Sequence, residues 1–478
     1  METYLNLIGG KSVPARDGGT YEHLCPSDGR PFATAPRSGA AEVDDAVRAA
    51  RAAFEGAWGR TPAVERGRLL ARLAQAIGRE AESLAALEAR DTGKPLKQAR
   101  ADIAAAARYF EFYGGAADKL MGTTIPFLEG YTVLTVREPH GVTAHIVPWN
   151  YPAQIFARSV GAALAAGNAC VVKPGEEAGL TIVEMAELAR EVGLPDGALN
   201  VVHGLGEEAG AALAAHPDID HLSFTGSPEV GTLVQAAAAR NHVGCTLELG
   251  GKSPQVIFAD ADLEACLPVV VTAICQNAGQ TCSAGSRVLV EKRAYEEVLG
   301  RLAERFAQVR VGTHAMDLDM GALVSETQRR RVHGYIEAAL AEGVPVLARG
   351  RLEPGLPAGG FYVEPVLFGP VPRANRLACE EVFGPVLAAF PFEDEADAIR
   401  LANGTPYGLV AGVWTRDLGR GLRLARAVRT GQVFLNAYGA GGGVELPFGG
   451  FKHSGHGREK GFEALHGFTA VKTVVVRH

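Results

Sequence analysis

A chain of 478 residues is too long for one small core and points to two or three domains. Apolar residues make up 47% and charged residues 21%, the balance of a globular protein rather than of a disordered or fibrous one. A formal charge of −7 without any Lys/Arg cluster argues against nucleic-acid binding, no apolar run is long enough for a bilayer, and Met1 to Asn6 lack the basic and apolar regions of a signal peptide.

Seven cysteines (Cys25, Cys170, Cys245, Cys266, Cys275, Cys282 and Cys379) are scattered without the spacing of a zinc site or a disulfide framework. That usage fits reduced thiols in a cytoplasmic protein with no metal. The first part of the chain reads as helical. Val43, Ala46, Val47, Ala50 and Phe54 share one face, with Ser38 as the cap, and a second helix opens at Pro62, carries Leu69 to Leu87 and stops at Gly93. A third runs from about Lys97 to Tyr113. Tyr131 to Val136 then alternates like a strand and stands apart from the regular pattern after it.

From residue 142 strands and helices alternate. The predicted strands are 142–147, 169–173, 199–202, 221–224 and 245–248; the helices are 155–166, 181–192, 207–215 and 229–240. This is an α/β pattern, with a parallel sheet covered on both faces and ligands expected at the carboxyl ends of its strands. A second α/β stretch runs from about Gly251 to Phe448, and Val471 to Val476 is another isolated strand.

Several segments at strand or helix ends can carry chemistry. Asn150, in Pro148-Trp149-Asn150-Tyr151-Pro152, offers a neutral amide donor. Lys173-Pro174-Gly175-Glu176 places a cation and a carboxylate where both could bond the hydroxyls of a ribose, or simply each other. Gly226-Ser227-Pro228 opens a helix whose uncovered N-terminus suits a pyrophosphate, although taken alone it is equally an ordinary capped helix. The nearby Gly204 to Gly210 cluster carries two glutamates that would repel phosphate and reads as a turn. Glu248 ends an apolar strand in Leu247-Glu248-Leu249-Gly250-Gly251-Lys252-Ser253. Gly279-Gln280-Thr281-Cys282 sets a thiol between a helix and a strand, flanked by residues small enough for close approach. Glu380-Glu381-Val382-Phe383-Gly384-Pro385-Val386 presents a carboxylate and an aromatic ring before a turn.

Seven such blocks in this order, ending with Pro447-Phe448-Gly449-Gly450-Phe451-Lys452, resemble the aldehyde dehydrogenase superfamily over essentially the whole chain. The resemblance implies a Rossmann-like NAD-binding domain (1–118 and 140–250), an α/β catalytic domain (251–448), and a small bridging β-sheet (119–139 and 449–478) that joins subunits into homodimers or homotetramers. It implies Cys282 as nucleophile, Glu248 as general base, and Asn150 with the Cys282 backbone N–H as oxyanion hole. Lys173, Glu176, Ser227, Glu381 and Phe383 would hold NAD, with Trp149, Gly226 and Leu249 beside it. A carboxylate at Glu176 would repel a 2′-phosphate and so favour NAD over NADP. Glu248 favours a carboxylic acid product, because the branch that passes its acyl group to coenzyme A typically lacks this residue.

The substrate tunnel would include Tyr151, Ile155 and Arg158 on the helix after Asn150, together with the loop from Tyr438 to Leu446. Arg158 suits an aldehyde bearing a carboxylate and resembles the substrate-binding arginine of succinic semialdehyde dehydrogenases. Their second arginine is Gln276 here. The Arg158 guanidinium could instead pair inside the protein, with Glu445 as candidate partner. The glycine run Gly441 to Gly443 would leave room for a bulky substrate.

Overall fold

The computed structural model of this chain describes residues 1–439 and 443–478. The alternation expected after residue 142 is present. Gly244–Glu248, His221–Thr225, Val142–Ile146, Ala169–Lys173 and Leu199–Val201 lie side by side in that order, all parallel. Ala169 to Val172 are fully buried, as both faces of the sheet are covered, so this strand reads as a continuous apolar run. Helix Pro152–Ala166 is buried at every position but Gln154, and ends at Gly167, whose φ of 104° supplies the left-handed cap.

The order of the strands creates a crevice. From the central strand Val142–Ile146 the chain builds outward to one side, then returns to lay His221–Thr225 against the other side. The two strands stay paired through Ile146↔Phe224, and the segments that follow them lead apart beyond their carboxyl ends, the place where α/β sheets bind ligands.

A second sheet runs Val346–Arg349, Val366–Phe368, Val386–Phe392, Arg287–Glu291, Pro254–Ile257, Val410–Trp414, Gln432–Leu435. All neighbours are parallel except the first pair. The chain passes from Glu248, at the carboxyl end of the first sheet, to Pro254, at the amino end of the second, through only five residues. The two isolated strands do pair: Tyr131–Pro139 and Thr469–Arg477 run antiparallel from Pro139↔Thr469 to Tyr131↔Arg477, with Thr124–Ile125 on the far edge.

Four expectations are corrected. Five short strands, Glu2–Thr3, Asn6–Ile8, Lys11–Val13, Thr20–Cys25 and Arg30–Pro36, precede the first helix. Two of them extend the first sheet beyond Leu199–Val201. Helix Ala40–Glu55 is capped at Gly39, whose N–H donates to the Glu42 carboxylate (2.8 Å), while the Ser38 hydroxyl accepts from Asn6 Nδ2 (2.8 Å). The long helix from Pro62 is two helices, Ala63–Arg79 and Ala81–Thr92, broken at Glu80. The tail also divides: Gly455–His456 pairs with Gly244–Glu248 as an edge of the first sheet, and only the last strand joins the small one.

Candidate active site

The crevice beyond the carboxyl ends of these two strands is a cavity of about 430 Å³. From the central strand come Trp149 and Asn150; from its neighbour come Gly226 and Ser227; Cys282, Glu381 and Phe383 close it from the second sheet. Ser227 caps helix Pro228–Ala239 as expected, its hydroxyl accepting from the Val230 N–H (3.3 Å) with Pro228 at the first helical position. Trp149 and Phe383 meet edge to face with ring centroids 5.5 Å apart. Glu381 is fixed by the Gly251 N–H (2.9 Å), and burial pushes its carboxyl up to about 7.

Cys282 comes just after a left-handed turn. Asn277, Ala278 and Gly279 have φ of 47°, 53° and 72°, and a side chain on Gly279 would come within 2.3 Å of the Gly384 carbonyl. Gly251 is equally obligatory, because a Cβ there would meet the Cys282 carbonyl oxygen at 2.3 Å. Burial pushes the thiol up to about 11, opposed by the Arg158 guanidinium and reinforced by Glu381 and Glu248. The resting sulfur is therefore protonated.

Glu248 ends strand Gly244–Glu248 and is 1% exposed, and neither carboxyl oxygen has a partner among the described residues. Burial drives it well above the usual carboxylate range, with Glu459 adding to the rise and Arg158, Arg458 and Lys460 opposing it. A buried acid with two unused acceptors is placed to bond water or a substrate atom.

Asn150 donates from Nδ2 to the Gln280 carbonyl (3.0 Å), leaving its second amide hydrogen for a ligand, and Oδ1 has no partner among the described residues. Its backbone carbonyl accepts from Asn277 Nδ2 (2.8 Å) and from Lys94 Nζ (3.1 Å). Lys94 is wholly buried and held by Asp102 (2.6 Å) and Glu88 (3.2 Å). In the sequence this lysine is only part of a helix stop.

The remaining candidates divide. Lys173 and Glu176 pair at 2.6 Å at the end of strand Ala169–Lys173, the lysine buried and the glutamate side chain 36% exposed. Neither lines the cavity, and Leu249 packs beneath Gly231. Cavity residues that sequence reasoning missed are Gln328, Arg331, Tyr335 and Tyr407. Gln328 Nε2 donates to the Phe383 carbonyl (2.6 Å) and Arg331 Nη2 to the Glu381 carbonyl (2.7 Å), which pins that segment. The run Gln328-Arg329-Arg330-Arg331 resembles an ordinary solvated helix face and carries no other signal.

Among the substrate candidates, the Tyr151 hydroxyl meets Thr281 Oγ1 (2.8 Å), next to the thiol, and accepts from Gln98 Nε2 (3.2 Å). Ile155 lies in the core of its helix layer. Gln276 lines a different cavity, of about 540 Å³, with Gln98, Thr272 and Arg305. Residues 440–442, which include Gly441 and Gly442 of the glycine run, lie outside the described residues. Arg158 is paired inside the protein, but with Glu459 rather than Glu445. Its Nη2 also donates to Thr225 Oγ1 (3.3 Å), and the second Glu459 oxygen accepts from Ser223 Oγ (2.7 Å). Glu445 is exposed and pairs with Arg108 (2.5 Å). Arg158→Leu should therefore act on stability, costing about 3–5 kcal/mol because Glu459 would be left buried and unpaired. A thermal unfolding midpoint unchanged from wild type would contradict this.

Residues 13–474 match the sequence model described as the aldehyde dehydrogenase family. The chain is 42% identical over 472 residues to a hydroxyisobutyraldehyde dehydrogenase of Mycolicibacterium austroafricanum, covering 98% of this chain and 93% of that protein. A solved Burkholderia cenocepacia structure assigned to the aldehyde dehydrogenases superposes with a TM-score of 0.99 at 63% identity, over 99% of this chain and 100% of the other. An NAD⁺ complex of a Bacillus cereus aldehyde dehydrogenase superposes with a TM-score of 0.97 at 40% identity, over 100% and 97%. A thiol and an amide at the sheet crevice, with a buried carboxyl ending the next strand, thus agree with sequence and fold alike: the chain belongs to the aldehyde dehydrogenase family.

Proposed function

We propose that this protein oxidises an aldehyde to its carboxylic acid with NAD, through covalent intermediates on Cys282. The observation that carries the reading is the convergence of Cys282 and Asn150 on the cavity that Ser227, Glu381 and Phe383 also line. Cys282, once a thiolate, attacks the aldehyde carbon. The oxygen that gains negative charge is met by the free amide hydrogen of Asn150 and the Cys282 N–H, and one such donor is worth about 2.7–4 kcal/mol in the transition state. The thiohemiacetal carbon loses its hydride and becomes a thioester. Glu248, as carboxylate, then takes a proton from the water that attacks this thioester, releasing the acid and restoring the thiol.

The cavity fits a nicotinamide dinucleotide: a helix N-terminus for pyrophosphate, a half-buried Glu381 carboxylate for ribose hydroxyls, and the Trp149–Phe383 pair for a flat ring. When bound, that group supplies the hydride acceptor. Lys173 and Glu176 would take the second ribose. NAD should be preferred to NADP, because the Lys173-bound Glu176 carboxylate, held below its usual range chiefly by Lys173 against the effect of burial, would face a 2′-phosphate as like charge. Equal kcat/KM for the two cofactors would refute the pairing, and Glu176→Ser should narrow the difference.

The NAD-binding part is assigned to the first large sheet, the catalytic part to the second, and the bridging segment to the pairing of Tyr131–Pro139 with Thr469–Arg477, so that Gly455–His456 passes from the bridging segment to the first sheet. Val471, Val474, Val475 and Val476 on the small sheet are exposed apolar residues, which supports assembly into homodimers or homotetramers. The free cysteines support a cytoplasmic setting, and no helix among the described residues is long and apolar enough to cross a membrane. The test is NADH formation from a panel of aldehydes, with the acid identified as product. Absence of any NADH would end the proposal.

A further inference from the structure

The turn that delivers Cys282 is strained. Asn277 and Ala278 carry side chains yet hold φ of 47° and 53°, in the left-handed region that favours glycine. Two such residues in succession persist only where their surroundings over-determine them. Part of that support is local. Gln280 Nε2 donates to the Asn277 carbonyl (3.0 Å), and Asn277 Nδ2 donates to the carbonyls of Asn150 (2.8 Å) and Gln280 (3.3 Å). A further hold comes from a helix far away in the chain.

Gln98, in the first turn of helix Leu96–Ala116, reaches both ends of this turn. Its Oε1 accepts from the Asn277 backbone N–H (2.9 Å), and its Nε2 donates to the Tyr151 hydroxyl (3.2 Å), which meets Thr281 Oγ1 (2.8 Å). The directions follow from the chemistry of the groups. A backbone N–H only donates, so the amide oxygen faces Asn277 and the amide nitrogen faces Tyr151. The phenol oxygen accepts there, so its single hydrogen points to Thr281 Oγ1. One side chain thus brackets residues 277–281 and stops one residue short of the nucleophile. A primary amide matches the two ends because it carries an acceptor and a donor on one planar group.

Gln98 is half-buried and lines the cavity of about 540 Å³, whereas Cys282 lines the other one. It therefore stands behind the nucleophile, outside the cavity to which the reaction is assigned, and acts only through Asn277 and Tyr151. Its other side meets open space, so a change of side chain there does not force a packed core to rearrange.

We propose that Gln98 is a positioning residue for the nucleophile. By tying Asn277 and, through Tyr151, Thr281, it holds the turn in the one shape that presents the Cys282 sulfur and backbone N–H together with the Asn150 amide. This rests on the aldehyde-oxidation reading and adds to it the residue that sets the geometry of attack. A reacting group displaced by about 1 Å loses roughly 100-fold in rate, so loosening the turn acts on the chemical step and leaves the dinucleotide groups as they are.

The experiment measures the first-turnover rate of NADH formation with pentanal, and the Kd for NAD by calorimetry, in wild type, Gln98→Met and Gln98→Glu. Methionine is close to glutamine in size but bonds neither end of the turn. It should slow the first turnover roughly 10- to 100-fold while NAD binds as in wild type. Glutamate should recover most of the rate, because its carboxylate accepts from the Asn277 N–H as before and accepts from a Tyr151 hydroxyl turned toward it. Gln98→Ala replaces the methionine variant if that one is not obtained folded. A first-turnover rate close to that of wild type in the neutral variant overturns the assignment. So does a loss shared by NAD binding, or one that glutamate fails to recover, since either would make Gln98 a general support of the fold. Absence of NADH from pentanal and from the rest of the aldehyde panel in wild type would instead strike the aldehyde-oxidation reading itself.

Discussion

Cys282→Ala should abolish NADH formation while leaving NAD binding close to that of wild type. The sulfur lies at one edge of the cavity, whereas the groups suited to the dinucleotide are the Ser227 helix start, Glu381 and the Trp149–Phe383 pair. Removing the nucleophile deletes the covalent route altogether, since no other described group in the cavity can form a thioester. Quenching of Trp149 fluorescence would report binding in the inactive variant. In the wild type free of cofactor, alkylation at Cys282 should be slow at neutral pH and climb as the pH approaches about 11, because burial disfavours the thiolate. Near-normal turnover in the alanine variant would sink the mechanism and turn attention to the other six cysteines.

Glu248→Gln should separate the two half-reactions. If the carboxylate serves the attack of water on the thioester, the first equivalent of NADH forms at a rate near that of wild type. Steady-state turnover then falls roughly 10²–10⁴-fold, the usual weight of a general base. The pH profile offers a second reading. Glu248 lies well above the ordinary carboxylate range and must lose its proton to act, so wild-type turnover should rise as pH passes through that raised value. The rise should be missing in the glutamine variant. Loss of the first-turnover burst as well would make Glu248 the activator of Cys282 instead.

Legibility in the sequence depends on whether one segment suffices. The strand–helix alternation after residue 142, the Ser227-Pro228 cap and the Gly279–Cys282 turn are legible, because each rests on local chain chemistry that a short stretch carries whole. The five opening strands are not. Three of them are only two or three residues long, too brief for a period of two to show. Thr20–Cys25 buries His23 and exposes Leu24, which masks its alternation in the sequence, and Arg30–Pro36 does not alternate cleanly between buried and exposed positions. Pairings between distant segments are also hidden. The sequence offers Glu445 to Arg158 as readily as Glu459, because the two glutamates look alike in a chain whose fold alone decides which is buried. Gln328 and Arg331 escape for a related reason: an arginine-rich helix face is usually solvated, and only the packing of Glu381–Phe383 against it reveals a task.

The clamp on Asn150 has a bearing on how such an enzyme changes over time. Lys94, held between Glu88 and Asp102 in the N-terminal helices, grips the backbone of Asn150, the residue proposed to meet the oxyanion. The aim of that amide is thus set from behind by a segment that supplies no reacting atom. Tyr151 shares that duty, because the Lys94 ammonium lies 4.5 Å from its ring centroid, whereas Phe448, in a small apolar cluster beside Cys282, belongs to a different part of the chain. Change near Phe448 would alter the surroundings of the thiol and leave the aim of the Asn150 amide as it is.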